Sequence, residues 1–237
     1  MVIEQEVVDI QKTRVPRSSD FVQTVDEMVK KYWIIDCIYR NCIIEFGNLK
    51  LKDLEEIHRT RIIRPFIITW GQMQRWLGEA GVTRIFQKLK DERFAYRIEP
   101  LRSENLKSIQ LKNQEEQIVS LFDELMNAKF QPKAKLKDAT NKKANPKNVS
   151  YTATSKILHL CCPSLFMMWD TNIRNHYHKY HREQGNDGKD YLGFLLNTKE
   201  ILNAMNNQVE GLSRKYSLRP TRIIDMYNWA KYSEKKS

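Results

Sequence analysis

Glycine and proline are scarce in this sequence, with 8 and 7 among 237 residues. That excludes a collagen-like repeat and a Pro/Gly-rich low-complexity chain. Strand-like alternation of apolar and polar residues is equally rare, so few segments read as half-buried strands. Cysteine is sparse too, with four residues. Cys37 and Cys42 have four residues between them, and Cys161 and Cys162 are adjacent. Neither pair has the CxxC spacing of zinc or iron–sulfur sites. Four cysteines in a chain of this length do not make a disulfide scaffold, so a reduced, intracellular protein is expected. Long apolar runs are missing: stretches such as Trp33-Ile34-Ile35 fall far short of a membrane span. Glu4, Glu6 and Asp9 interrupt the Val and Ile of the first ten residues and spoil any secretory apolar core. The expectation is a cytoplasmic, nucleoid-associated or nuclear protein with no membrane partner, no cofactor and no metal site.

Positive charge and helical periodicity are what the chain has. Forty Lys and Arg stand against 29 Asp and Glu, a formal net charge of +11. An excess of this size favours a polyanionic partner, DNA or RNA, because each phosphate contact releases condensed counterions. Hydrophobic residues make up 41% of the chain, enough for a core. Helical spacing of apolar residues recurs over 21–46, 51–61, 66–77, 82–89, 103–126, 152–160, 191–205 and 221–232. An all-α, two-lobed bundle of about ten helices is expected, with no sheet beyond a short hairpin. Residues 1–128 form the first helical lobe in this reading. Residues 129–150 form a basic loop, and 151–237 carry a hairpin-like pair of helices and the C-terminal region. The loop is marked by composition: seven Lys between 129 and 147, two prolines and one acid, Asp138. Lys142, Lys143 and Lys147 are its candidate phosphate contacts.

The segment from Thr152 to Tyr177 is the most informative. It reads as a helix stopped by Pro163, an apolar stretch from Leu165 to Trp169, then Asp170 where a new helix begins. Asp170 is an N-cap by position, its side chain accepting from first-turn amides. It is also a candidate catalytic carboxylate, backed by a dry wall. The sequence Trp169-Asp170-Thr171-Asn172-Ile173-Arg174 resembles the V-D-T-H-V-x-R-V segment of the helix-hairpin-helix DNA glycosylase superfamily. The resemblance implies a fold that flips a base into a cleft. It places Asp170 where it stabilises the cationic sugar as the base leaves, and Arg174 as a structural arginine. It also implies that residues 153–160 are the second helix of the hairpin, with Thr152 near the DNA backbone. The chain departs from the family's L-P-G-V-G-x-K-T-A hairpin: Pro146 to Ala153 contains no glycine. It has no lysine at the lyase position, where Tyr151 or Thr152 falls; Lys156 comes several residues later. Lys156 is a second catalytic candidate: as a nucleophile it would need burial or a neighbouring cation to lower its pKa, and it is expected instead to face solvent.

Other residues fit nucleic acid. His176 and His178 point about 200° apart on a helix, so a three-histidine metal site with His181 does not form on one face. Arg174 and His178, interleaved with tyrosines, instead suit phosphate contacts with stacking. Arg219 and Arg222 make a basic patch around Pro220. Trp70, Gln72 and Gln74, with Trp169, are the candidates for gripping a flipped base. Two functions follow: a monofunctional DNA N-glycosylase, or a non-catalytic DNA- or RNA-binding helical module. A protein-interaction domain with incidental charge is a third.

Overall fold

The computed structural model describes residues 15–131, 145–178 and 187–233. Among them the protein is almost entirely helical. The α-helices are α1 (Ser18–Gly47), α2 (Glu56–His58), α3 (Gly78–Leu89), α4 (Glu92–Ile98), α5 (Glu115–Met126), α6 (Tyr151–Cys161), α7 (Thr171–His178), α8 (Asp187–Ala204), α9 (Asn206–Tyr216) and α10 (Pro220–Asn228). Wide π-helical turns occupy Arg59–Ile63, Pro65–Trp70 and Trp229–Ser233. The only strands described are β1 (Lys129–Phe130) and β2 (Lys147–Asn148), paired antiparallel in the register Lys129↔Asn148.

Helix α1 is the spine. Phe21, Val25, Met28, Val29, Tyr39, Ile43 and Phe46 recur at three- and four-residue intervals and are buried. That stripe packs against α6, α9, α10 and the Pro65–Trp70 turn. Burying each large side chain stabilises the fold by about 1.5–3 kcal/mol. Helix α5 packs most extensively on α8, and Gly188 is why they approach so closely. A Cβ there would lie 2.8 Å from both Val119 O and Asp123 Oδ1. The buried apolar residues form one continuous cluster, from Phe21 to Tyr227.

Several boundaries differ from the sequence reading. Helical structure around 66–77 stops at Trp70, because Gly71 and Gln72 turn the chain; Gln72 sits at φ 53°. The helix expected over 103–126 begins at Glu115, after a 3-10 turn at Leu111–Gln114. Helices α4 and α9 lie in stretches that showed no clear apolar period. In α4 the Asp91 side chain accepts from Phe94 N and starts the helix. No helix is long and apolar enough to cross a membrane among the described residues.

Candidate active site

The segment between α6 and α7 is extended and buried, so its backbone must find partners outside regular structure. Side chains supply them. Met167 N–H donates to Tyr191 Oη (3.1 Å), and the same hydroxyl donates to Met167 O (2.7 Å). Trp169 N–H donates to Ser155 Oγ at 2.9 Å. His159 bonds Phe166 O through Nδ1 (2.6 Å) and Tyr39 Oη through Nε2 (2.8 Å). Burial pushes the His159 pKa down to about 3. The ring is therefore neutral at pH 7, donating to the carbonyl from Nδ1 and accepting the Tyr39 hydroxyl at Nε2.

This clamp delivers Asp170 to the start of α7. Its Oδ1 accepts from the amides of Asn172 and Ile173, both at 2.9 Å. Those bonds satisfy two of the helix's orphan donors. Oδ2 accepts from Ser233 Oγ at 2.5 Å.

Asp170 opens onto a cleft of about 160 Å³. Its walls are Tyr32 and Ile35 of α1, Trp70, Gln72, Met168, Ile173, Met226 and Trp229. Lys156, Asp36, Arg222 and Asp225 also line it. Lys156 departs most from expectation. It is part-buried and turned into the cleft; its Nζ donates to Gly71 O at 2.7 Å and sits 5.8 Å from the centre of the Trp70 ring. Burial is the main cause that lowers its pKa to about 8, against the opposing pull of Asp225 and Asp170. About one Lys156 amine in ten is then neutral at pH 7, whereas a solvated lysine is charged throughout. Gly71 is required here. A Cβ on it would lie 2.6 Å from Ile67 O and 2.9 Å from Phe66 O.

Beneath Lys156 lies an ion triad. Arg222 donates through Nη2 to Asp36 Oδ1 at 2.6 Å and through Nη1 to Asp225 Oδ2. Trp70 Nε1 also donates to Asp36 Oδ1, at 3.3 Å. The guanidinium lies over the Tyr39 and Trp70 rings, 4.9 and 5.1 Å from their centres. All three charged groups are buried. Burial raises the Asp225 pKa to about 6, with Arg222 pulling the other way and Asp170 adding to the rise. Removing one member of such a cluster leaves a buried charge uncompensated, at about 3–5 kcal/mol. Two atoms of the triad have no hydrogen-bond partner: Asp36 Oδ2 and Arg222 Nε.

Comparison with protein-family models, curated proteins and solved structures returns no match.

The expected site residues divide clearly. Asp170, Lys156, Trp70 and Gln72 meet at the cleft. Trp169 does not. It is buried in the core, stacked on Phe194 with ring centres 5.9 Å apart, because the extended segment turns it away from Met168. Gln74 is exposed and outside the cleft lining, since the chain turns at Gly71 instead of continuing as a helix. Arg222 is not a surface arginine: α10 is buried from Thr221 to Asn228 and the Arg222 guanidinium is taken by Asp36 and Asp225. Arg174 is half-buried, paired with Asp187 at 2.6 Å and stacked over Tyr151 and Trp169. Arg219 is exposed and bonds Ser164 Oγ (2.7 Å); Lys147 is exposed on β2, and Thr152 is half-buried in the first turn of α6. Lys142, Lys143 and the His178 side chain lie outside the described residues. Among the described residues no group of three or more His, Cys, Asp or Glu is placed to hold a metal ion.

Sequence reasoning missed Asp36, Asp225, Tyr32 and Trp229. For Asp36 a signal existed: it is a charged residue between Tyr32 and Tyr39 on the buried stripe of α1.

Proposed function

We propose that the chain binds nucleic acid and acts as a DNA N-glycosylase with a helix-hairpin-helix-like arrangement around Asp170. The carrying observation is that Asp170, capping a helix, shares an aromatic-walled cleft with Lys156. A cavity of about 150 Å³ holds a benzene ring, so this cleft accommodates one heterocyclic ring between Trp70, Tyr32 and Trp229. The net charge of +11 supports capture of a phosphate backbone. In this reading the base leaves its stack and enters the cleft, and Asp170 faces the positive charge that develops on the sugar.

Lys156 favours a second version of the chemistry. Its depressed pKa and enclosed position are those of an amine able to attack the sugar C1′ and form a Schiff base. Asp170→Asn and Lys156→Ala separate the two. The Asn side chain keeps the N-cap geometry, so folding and DNA binding are retained while base release falls about 100-fold or more. Lys156→Ala retains base release if the enzyme is monofunctional, and loses strand cleavage and borohydride trapping if the amine is the nucleophile. Wild-type protein that binds DNA but releases no base from a broad lesion panel identifies a non-catalytic binding module instead.

A further inference from the structure

A second depression, an open groove of about 580 Å³, lies where α3 packs on β1 and shares no lining residue with the cleft. Its charge is unbalanced. Glu79, the acid in its wall, accepts from both Arg64 Nε (2.5 Å) and Arg59 Nη1 (3.3 Å), so it is already neutralised. Arg84 and Lys129 line the same groove with no acidic partner among the described residues. Arg84 is the unusual one. Arg59, Arg64, Arg97, Arg102 and Arg174 are also part-buried, and each pairs with a carboxylate. The part-buried Arg84 guanidinium makes no hydrogen bond or ion pair among the described residues. Its Nε is shut into the wall, while its two Nη groups are not buried. Its own helix offers a like charge: burial lowers the Lys88 pKa, and Arg84 adds to the fall against the pull of Asp91. A cation held partly out of water with no counter-charge is unfavourable for the fold alone, and an anion from outside would relieve it.

We propose that this groove holds one phosphodiester of a nucleic-acid backbone, gripped by Arg84 and Lys129 with the Gln87 and Gln131 amides as neutral donors. This rests on the nucleic-acid part of the proposed function and is independent of base release. Geometry favours phosphate over carboxylate. Arg84 and Gln87 stand on α3, and Lys129 and Gln131 come from β1 and the residue after it. A tetrahedral phosphate presents oxygens to both walls, whereas a carboxylate offers two oxygens in one plane. The groove is also open and several times larger than a cavity of about 150 Å³ that encloses one ring, so a strand can pass through it. The exposed Lys147, paired with Phe130 across the hairpin, extends the basic edge.

Two cations on one phosphate differ in salt dependence from two cations on two phosphates, and the test uses that difference. Affinity of the full chain for a short fluorescein-labelled DNA duplex is measured by anisotropy over a salt series. Arg84→Met should lower the slope of log K against log salt by about 0.9, the loss of one phosphate contact. Adding Lys129→Met should lower it no further, because both cations serve the same phosphate. An unchanged slope in Arg84→Met, or a drop of about 1.8 in the double variant, overturns the shared site. Arg84→Met should unfold at the wild-type temperature or above, since no bond is lost; a clearly lower midpoint would make the guanidinium structural and overturns the proposal. Wild type is also titrated with inorganic phosphate while the Gln131 side-chain amide is followed by proton–nitrogen NMR. That signal should shift, and Arg84→Met should abolish the shift. No shift in wild type overturns the site whether or not the variant folds. Wild type that binds no duplex overturns the nucleic-acid reading, and a Gln131 shift would then leave a site for free phosphate alone. Duplex binding with an unchanged Arg84→Met slope overturns this site and leaves that reading standing.

Discussion

Replacing Lys156 by Met tests whether the amine is enclosed as the structure places it. Met matches the length of the lysine stem and carries no proton, so it gives a reference without titration at this site. In the wild type the amine titrates at about 8 when folded, against 10.5 for a solvated lysine. The folded-state pKa is the lower one, so holding the ammonium in the cleft destabilises the protein below pH 8. That penalty fades between pH 8 and 10.5, and it is absent above. A displacement of that size corresponds to about 3 kcal/mol across the window. Asp225 titrates near 6 and is already ionised throughout, so it adds nothing to the slope. Urea unfolding of both proteins, followed by tryptophan fluorescence from pH 7 to 10.5, gives the difference directly. Wild type should gain on Lys156→Met by about 3 kcal/mol as the pH rises. A flat difference would show an amine titrating as in water, and would refute the enclosed geometry.

Two further perturbations address the turn and the charge. Gly71→Ala places a methyl against the carbonyls of Ile67 and Phe66, so the turn must open at a cost of about 1–3 kcal/mol. Lys156 then loses its acceptor, and thermal unfolding together with the Lys156 titration should report both effects. Neutralising Lys133, Lys135, Lys137, Lys142 and Lys143 together should flatten the slope of log K against log salt for duplex DNA by up to about 4.5. An unchanged slope would make the basic stretch a bystander.

Local patterns carried much of this architecture. The long α1 stripe, the Pro163 stop, the apolar run before Asp170 and the N-cap itself all depend on neighbours within four residues, and each is legible in order. Lys156 was not. On α6 its neighbours at three and four positions include Thr152 and His159, a polar face that reads as solvent-exposed. That face turns inward because His159 meets Tyr39, 120 residues away, and Lys156 meets Gly71, 85 residues away. The triad hides for the same reason: Asp36 and Arg222 are 186 residues apart. A charge buried by a distant partner looks identical, in sequence, to one solvated by water. Trp169 fails in the opposite direction. Beside a catalytic candidate it suggested a stacking surface, but alternation along an extended segment sends successive side chains to opposite faces.

The two indoles of the cleft are each carried on a wide turn: Trp70 ends the π-helix at Pro65–Trp70 and Trp229 begins the one at Trp229–Ser233. A π-turn holds one more residue than an α-turn, equivalent to a single insertion in an ordinary helix. Removing that residue would restore α-geometry and rotate everything beyond it by about 100°. The shape of this cleft is thus set partly by chain length. Lineages that differ by one codon at the Pro65–Trp70 turn would present different walls to the same floor, with no change in any residue that lines it.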